Sequence, residues 1–283
     1  MNKWLGMVAA GCALWLTGCY QPREGCLDPL ATNYDVAADE PCLECCTWPE
    51  LSVQVLHRYA PPAQPDALLP LKYEQPLQVW PDTMHPFMLK RFRFWMSHVQ
   101  LLGIGGELFG VLERLPVALP DGQLVELEDN YAVADRDIFS SFIVGTIQAD
   151  GYLKGIRLQV GLDSLERALL PESLPEGHVL RTYADSILFD VQAGYLSGRA
   201  WVYPDTTTTD WLDVAWVQPV GVTLWLDQPV FLPKGSGVKV ILVINYTQLF
   251  EGIDFAATDP DQLRFNIVSA LSNAISIDTL LVK

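Results

Sequence analysis

The sequence predicts a mainly β protein: an antiparallel β-sandwich with one C-terminal helix, a shorter helix and a small disulfide-bonded module near the N-terminus. From Leu51 onward, apolar and polar residues mostly alternate, and Pro and Gly interrupt the alternation. This pattern is typical of antiparallel strands that bury one face. A hydrophobic content of 50% over 283 residues is enough for a substantial core.

Nine segments carry the strand pattern. They are 52–59, 77–80, 89–102, 123–134, 142–148, 155–161, 194–203, 215–226 and 238–246. In the third segment the alternation puts Phe92, Phe94, Met96 and His98 on one face. His98 thus continues an apolar stripe, which favours a core histidine over a ligand.

Two helices are predicted in the second half of the chain. Asp259 is suited to an N-cap, Pro260 to the first helical position and Gln262 to the partner position of a capping box. Apolar residues then recur at helical spacing through Ala274. A shorter helix is expected at 164–169.

The N-terminus resembles a bacterial lipoprotein signal. Lys3 precedes an apolar run, which ends in Leu16-Thr17-Gly18-Cys19. The resemblance implies removal of residues 1–18, a lipid on Cys19 and attachment to a membrane through that lipid, at the outer membrane facing the periplasm or the cell surface. An uncleaved membrane anchor is the alternative.

Four cysteines remain after the signal and Cys19, namely Cys26, Cys42, Cys45 and Cys46. In an exported protein we expect two disulfides. A bond between the adjacent Cys45 and Cys46 would be strained, so Cys26 and Cys42 should each pair with one of these two. The alternative is a thiolate metal site.

The cysteines belong to a turn-rich segment. Gly25-Cys26-Leu27-Asp28-Pro29-Leu30-Ala31-Thr32-Asn33-Tyr34 is similar to Gly-Cys-x-Asp-Pro-x-Ala-x-Asn-Tyr modules of exported Bacteroidetes-type proteins. The expected organisation is a tether at 19–24, a Cys-rich module at 25–49 and a β domain at 51–283.

Composition argues against two classes of function. A net charge of −16, without a basic cluster, argues against a nucleic-acid partner. The chain has no Gly-x-Ser-x-Gly elbow, phosphate loop or His-Glu-x-x-His motif. We therefore expect that it is not an enzyme.

The β domain resembles the MbnP-like proteins, an exported copper-binding family associated with methanobactin. Arg93-Phe94-Trp95-Met96-Ser97-His98-Val99-Gln100-Leu101 is similar to the family's aromatic-x-Ser-Asn-x-x-Leu strand. Asp121-Gly122, Tyr131-Ala132-Val133-Ala134-Asp135, Gly161-Leu162-Asp163 and Gly194-Tyr195-Leu196 follow in the family's order. The resemblance implies a β-sandwich, and some members of the family bind copper through histidines and an oxidised tryptophan.

The resemblance makes His57 the first candidate copper ligand, because it corresponds to a histidine near the start of the family domain. The other two candidate ligands are His98, which stands where the family has Asn, and His85, which lies in a predicted loop. Gln218 replaces a family histidine, and 187–191 lacks the family's tryptophan. Imidazole is a better copper ligand than an amide, so the expected ligand set is incomplete.

A second interpretation needs no metal. The chain would then be a non-catalytic envelope binding or scaffold module, with a protein or glycan partner held by loops and tryptophans. Seven tryptophans follow the signal. Exposed ones would form a binding surface, whereas buried ones would belong to the core.

Overall fold

The computed structural model of the protein describes residues 21–79, 85–255 and 257–283. The predicted signal at 1–18 and the predicted lipidation site Cys19 lie outside these residues. Among the helices of the described part, none is long and apolar enough to cross a membrane.

The chain is mainly β, as predicted. The strands of the described residues are β1 (Glu24–Gly25), β2 (Glu40–Pro41), β3 (Glu50–Tyr59), β4 (Leu69–Pro70), β5 (Pro76–Leu77), β6 (Phe87–Gly103), β7 (Leu108–Phe109), β8 (Arg114–Ala118), β9 (Leu124–Glu128), β10 (Tyr131–Asp135), β11 (Phe142–Thr146), β12 (Gly151–Val160), β13 (Phe189–Asp190), β14 (Gly194–Tyr195), β15 (Gly198–Tyr203), β16 (Leu212–Trp216), β17 (Val220–Leu232), β18 (Val238–Asn245) and β19 (Ile275–Val282). The helices are α1 (Ser164–Arg167), α2 (Val179–Thr182), α3 (Tyr246–Leu249) and α4 (Pro260–Ala274), with a 3-10 turn at Pro171–Ser173.

Two large sheets form the sandwich. One has the strand order β16-β15-β6-β12-β17, and β5, β7 and β10 also pair with β6. The other has the order β11-β3-β18-β19, with β4 paired to β3. The pairs within both sheets are antiparallel except β3 with β18, which is parallel. This pair departs from the predicted antiparallel arrangement. The long connection between β3 and β18 allows a parallel crossover.

The main core lies between the two sheets. β3 contributes Leu51 and Val53, β18 contributes Val240 and Leu242, and the long strand β6 contributes Phe94, all fully buried. Burial of such side chains is the main favourable contribution to folding.

The helix α4 packs against this core, and the prediction of the C-terminal helix is confirmed. The Asp259 carboxylate accepts hydrogen bonds from the backbone N–H groups of Asp261 and Gln262, so Asp259 is the N-cap. Leu263, Ile267 and Leu271 are buried on one side of the helix.

A further layer covers the other face of the larger sheet. It consists of the β8–β9 hairpin and the segment 162–195, which contains α1 and α2. Its apolar cluster centres on Trp95 and includes Tyr131, Leu162 and Tyr195. This layer brings the start of α1 against β6.

The N-terminal module has one of the two expected disulfides. Cys26 bonds to Cys46, whereas Cys42 and Cys45 are free thiols in this structure. The Cys45 thiol donates to the Cys42 carbonyl oxygen at 3.0 Å. The prediction of a second disulfide is therefore not met in this structure, because the local turn directs the Cys45 sulfur to a carbonyl group. Arg23, which belongs to the predicted tether, contacts the module: its backbone N–H donates to the Asp39 carboxylate.

Alkylation distinguishes the free from the bonded cysteines. On the unreduced protein, iodoacetamide should modify Cys42 and Cys45 and should leave Cys26 and Cys46 unmodified. Hydrogen bonding to Cys42 raises the pKa of the Cys45 thiol, so its reaction should accelerate markedly above neutral pH. Peptide mapping by mass spectrometry checks both expectations. A peptide in which Cys42 is bonded to Cys45 would contradict them.

Candidate cation site at His98

The backbone of β6 departs from regular strand geometry at His98. Arg157 of β12 pairs with Gln100, but Gln159 pairs with Ser97, so β6 contains an extra residue at this point. His98 has a φ of 51°, in the left-handed region that non-glycine residues rarely adopt. This β-bulge shifts the apolar alternation by one residue, so that Val99 and Leu101 continue the core-facing series, and it turns the His98 side chain away from the core.

Asn130 holds the bulge in place. Its side-chain amide donates to the Val99 carbonyl at 2.9 Å, and its side-chain oxygen accepts from the Val99 N–H at 3.1 Å. Asn130 is buried, so these bonds satisfy backbone groups that the bulge would otherwise leave unpaired. The same amide donates to Glu128, which positions that carboxylate beside His98.

Three carboxylates surround the His98 imidazole. Its Nε2 atom lies 3.2 Å from Oε1 of Glu166 and 3.9 Å from Oδ2 of Asp163. Its Nδ1 atom lies 4.0 Å from Oε2 of Glu128. The imidazole is about one-third exposed, whereas Glu166 is buried.

The start of α1 fixes two of these carboxylates. Asp163 is the N-cap and accepts from the N–H groups of Leu165 and Glu166, while Glu166 accepts from the Asp163 N–H. This reciprocal arrangement is a capping box. The Tyr131 hydroxyl donates to Oε1 of Glu166 at 3.0 Å. Glu166 therefore has little rotational freedom.

The imidazole and the Glu128 carboxylate shift each other's pKa values toward the charged forms. Interaction with Glu128 and Glu166 raises the pKa of His98 to about 10. The same contact with His98 lowers the pKa of Glu128. Carboxylates outnumber the imidazole three to one, so the cluster retains an excess of negative charge even when His98 is protonated.

The cluster offers ligand atoms to a cation. One ligand atom each from His98, Asp163 and Glu166 lies within 4.8 Å of the others. Ligands about 2.0–2.2 Å from a first-row ion are separated by up to about 4.4 Å, so small side-chain rotations suffice. A cleft of about 400 Å³ opens beside the imidazole and is lined by His98, Gln100, Arg157 and Gln159.

His57 lies in a different environment. Its Nδ1 atom is 2.8 Å from the Tyr246 hydroxyl, and its Nε2 atom is buried without a hydrogen-bond partner. It lines a cavity of about 200 Å³ with Leu71 and Phe139. Desolvation lowers the pKa of His57 to about 4, so the ring is neutral at neutral pH.

The structure does not bring the three sequence-based candidate ligands together. Within the described residues, the group of three metal-binding side chains contains His98 but neither His57 nor His85. His85 is exposed ahead of β6. A copper site built from His57 and His98 is therefore not assembled by the residues that the structure describes.

Three members of the site were not singled out from the sequence as ligands: Glu128, Asp163 and Glu166. Asp163-Ser164-Leu165-Glu166 has the spacing of a capping box, so the sequence could have predicted that Asp163 and Glu166 pair at the start of α1. Glu128 had no such local pattern, because it reaches His98 through the pairing of the following strand, β10, with β6.

The fold and this cluster define a β-sandwich protein with a histidine–carboxylate site on one face of its larger sheet. No family model and no curated protein matches the chain. Among solved structures, the chain is similar to MbnP from Methylosinus trichosporium, with 14% sequence identity and a TM-score of 0.40. The match covers 74% of this chain and 78% of that chain. This is a distant similarity in fold.

Proposed function

We propose that this protein is a lipid-anchored component of the bacterial cell envelope that binds copper(II) at His98, Asp163 and Glu166. The observation that carries the metal proposal is the convergence of one imidazole nitrogen and carboxylate oxygens within 4.8 Å. The anchor is inferred from Leu16-Thr17-Gly18-Cys19.

The donor set favours copper(II) over copper(I). Imidazole and carboxylate are borderline and hard ligands, whereas copper(I) prefers thiolate and thioether sulfur. Among first-row divalent ions, a given nitrogen and oxygen site binds Cu²⁺ most tightly. Zinc is the nearest competitor, and calcium would gain little from the imidazole.

Binding should release a proton from His98. The imidazole must be neutral to act as a ligand, and its neighbours keep it protonated in the metal-free protein. The cation takes the place of this proton on the imidazole, and its charge is compensated by Glu166, held by Tyr131, and by Asp163, held at the start of α1. Affinity should therefore increase as the pH rises.

Calorimetric titration with Cu²⁺ tests the proposal. The protein should carry Cys42→Ser and Cys45→Ser, since free thiols bind and reduce copper. One equivalent should bind, and His98→Ala should weaken binding by more than about 100-fold, because loss of a ligand costs at least as much as loss of a second-shell partner. Electron paramagnetic resonance should show coupling to one imidazole nitrogen.

His57→Gln is the matched control, since His57 lies outside the cluster. It should leave the copper affinity unchanged. If His57→Gln abolishes binding while His98→Ala does not, the site is at His57. If the protein with intact His98 does not bind Cu²⁺, the copper proposal is wrong.

A further inference from the structure

A cluster of exposed apolar side chains covers one edge of the larger sheet. Trp225 and Phe231 on β17 and Tyr152 on β12 are each more than half exposed, as is Ile104 after β6. The rings of Tyr152 and Phe231 are 5.2 Å apart, and the Lys154 ammonium lies 5.4 Å from the Trp225 ring. Lys154 also donates to the Ile104 carbonyl, so the five residues form one surface. We call it the aromatic edge.

The aromatic edge lies at the end of the sandwich that carries the N-terminal module. β17 continues from Phe231 into the turn 233–237, where Gly235 approaches the backbone of Ala31 so closely that an added Cβ would lie 2.7 Å from its carbonyl oxygen. The N–H of the last residue, Lys283, donates to Gly237 in the same turn. The module and the aromatic edge therefore adjoin the same turn.

The distance from the module to the predicted lipid is short. Arg23 is fixed by a 2.8 Å ion pair with Asp35 and by its bond to Asp39. Four residue steps separate it from Cys19, and these span at most about 14 Å even when fully extended. A lipid on Cys19 would thus hold this end of the sandwich against the bilayer surface.

The composition of the aromatic edge suits the headgroup region. Trp and Tyr are enriched at membrane interfaces, where an apolar ring and a polar group are both accommodated. Lysine stems lie along apolar surface while their ammonium groups reach phosphate. Lys154 belongs to the surface, and Lys234 and Lys283 lie at the adjoining turn.

We propose that the aromatic edge rests in the headgroup region of the bilayer that carries the Cys19 lipid. The inference rests on the lipid anchoring proposed above and is independent of copper. It gives the protein a defined orientation, with β17 toward the membrane.

Fluorescence quenching tests the contact on the full, processed chain. The protein is reconstituted into phosphatidylethanolamine and phosphatidylcholine vesicles with brominated acyl chains. The Trp225 emission is taken as the difference between the wild type and Trp225→Phe. The Trp225 emission in vesicles should have its maximum at a shorter wavelength than the same emission in detergent-free buffer. Brominated vesicles should reduce its intensity roughly twofold compared with vesicles without bromine.

Trp211→Phe is the matched control. Trp211 is also exposed, but it adjoins β16, at the opposite edge of the same sheet, and it packs under the Lys90 ammonium. The Trp211 difference emission should not be quenched. Equal quenching of both tryptophans, or of neither, in protein that floats with the vesicles overturns the proposed orientation but leaves the anchor intact.

Two other outcomes also overturn the proposal. If the wild type fails to float and behaves like Cys19→Ser, the lipid anchor itself is wrong and the orientation falls with it. If the Trp225 emission shifts with protein concentration in the absence of vesicles, a second copy of the chain covers the aromatic edge instead of lipid.

Discussion

Asp135→Ala should lower the free energy of unfolding by about 3 kcal/mol, because it leaves a buried guanidinium without its main partner. The Asp135 side chain is fully buried and accepts from Arg93 Nε at 2.6 Å and from Arg91 at 3.3 Å. Arg93 is also buried. It keeps a second ion pair with the half-exposed Asp185, which places the expected loss at the lower end of the range for such pairs.

Urea unfolding monitored by tryptophan fluorescence measures this loss. Asp213→Ala provides the matched control, since Asp213 pairs with Arg199 through two hydrogen bonds but is 45% exposed. Exposed pairs contribute little, so this change should cost less than about 1 kcal/mol. Equal losses in the two variants would show that burial does not govern the Asp135 pair.

Titration of His57 should remove about 3 kcal/mol of stability as the pH falls from 7 to 4. Desolvation lowers the pKa of His57 from 6.5 to about 4 in the folded chain. The unfolded chain therefore takes up the proton first, which favours unfolding. The effect is absent above pH 6.5, grows as the pH falls toward the folded pKa and levels off below it.

Unfolding free energies measured at several pH values check this expectation. His57→Gln removes the titrating group, so its stability should fall by about 3 kcal/mol less than that of the wild type over this pH range. Tyr246→Phe serves as the control, because it removes the 2.8 Å contact with Nδ1 but keeps the imidazole. It should lower stability by about 1 kcal/mol at every pH without changing the slope. Parallel curves for the wild type and His57→Gln would contradict the assignment.

Local patterns in the sequence predicted much of the sandwich. The alternation in 52–59 and 238–246 corresponds to β3 and β18, and Asp259-Pro260 corresponds to the start of α4. These features are predictable because burial of one face and capping of a helix depend on residues close together in the chain. The segment 123–134 was predicted as one strand but forms β9 and β10, since Asn130 bonds across to β6.

The site was less predictable than the fold. The alternation through Phe92, Phe94 and Met96 placed His98 in the core, and the bulge in β6 reverses its direction. A bulge depends on the register with the neighbouring strands, and a single strand does not carry that information. Asp163 and Glu166 were recognisable as a local pair, but not as neighbours of a histidine on β6.

Sequence alone was enough to predict the β class, the capped C-terminal helix and a Cys-rich module ahead of the β domain, because each depends on composition or on short-range spacing. The parallel pairing of β3 with β18, the partner of Cys26 and the grouping of His98 with three carboxylates were decided only by tertiary structure. Each of these joins segments whose distance in space is set by how the sheets pack and pair. The same packing separates His57, buried beside Tyr246, from His98, which faces solvent and the acidic end of α1.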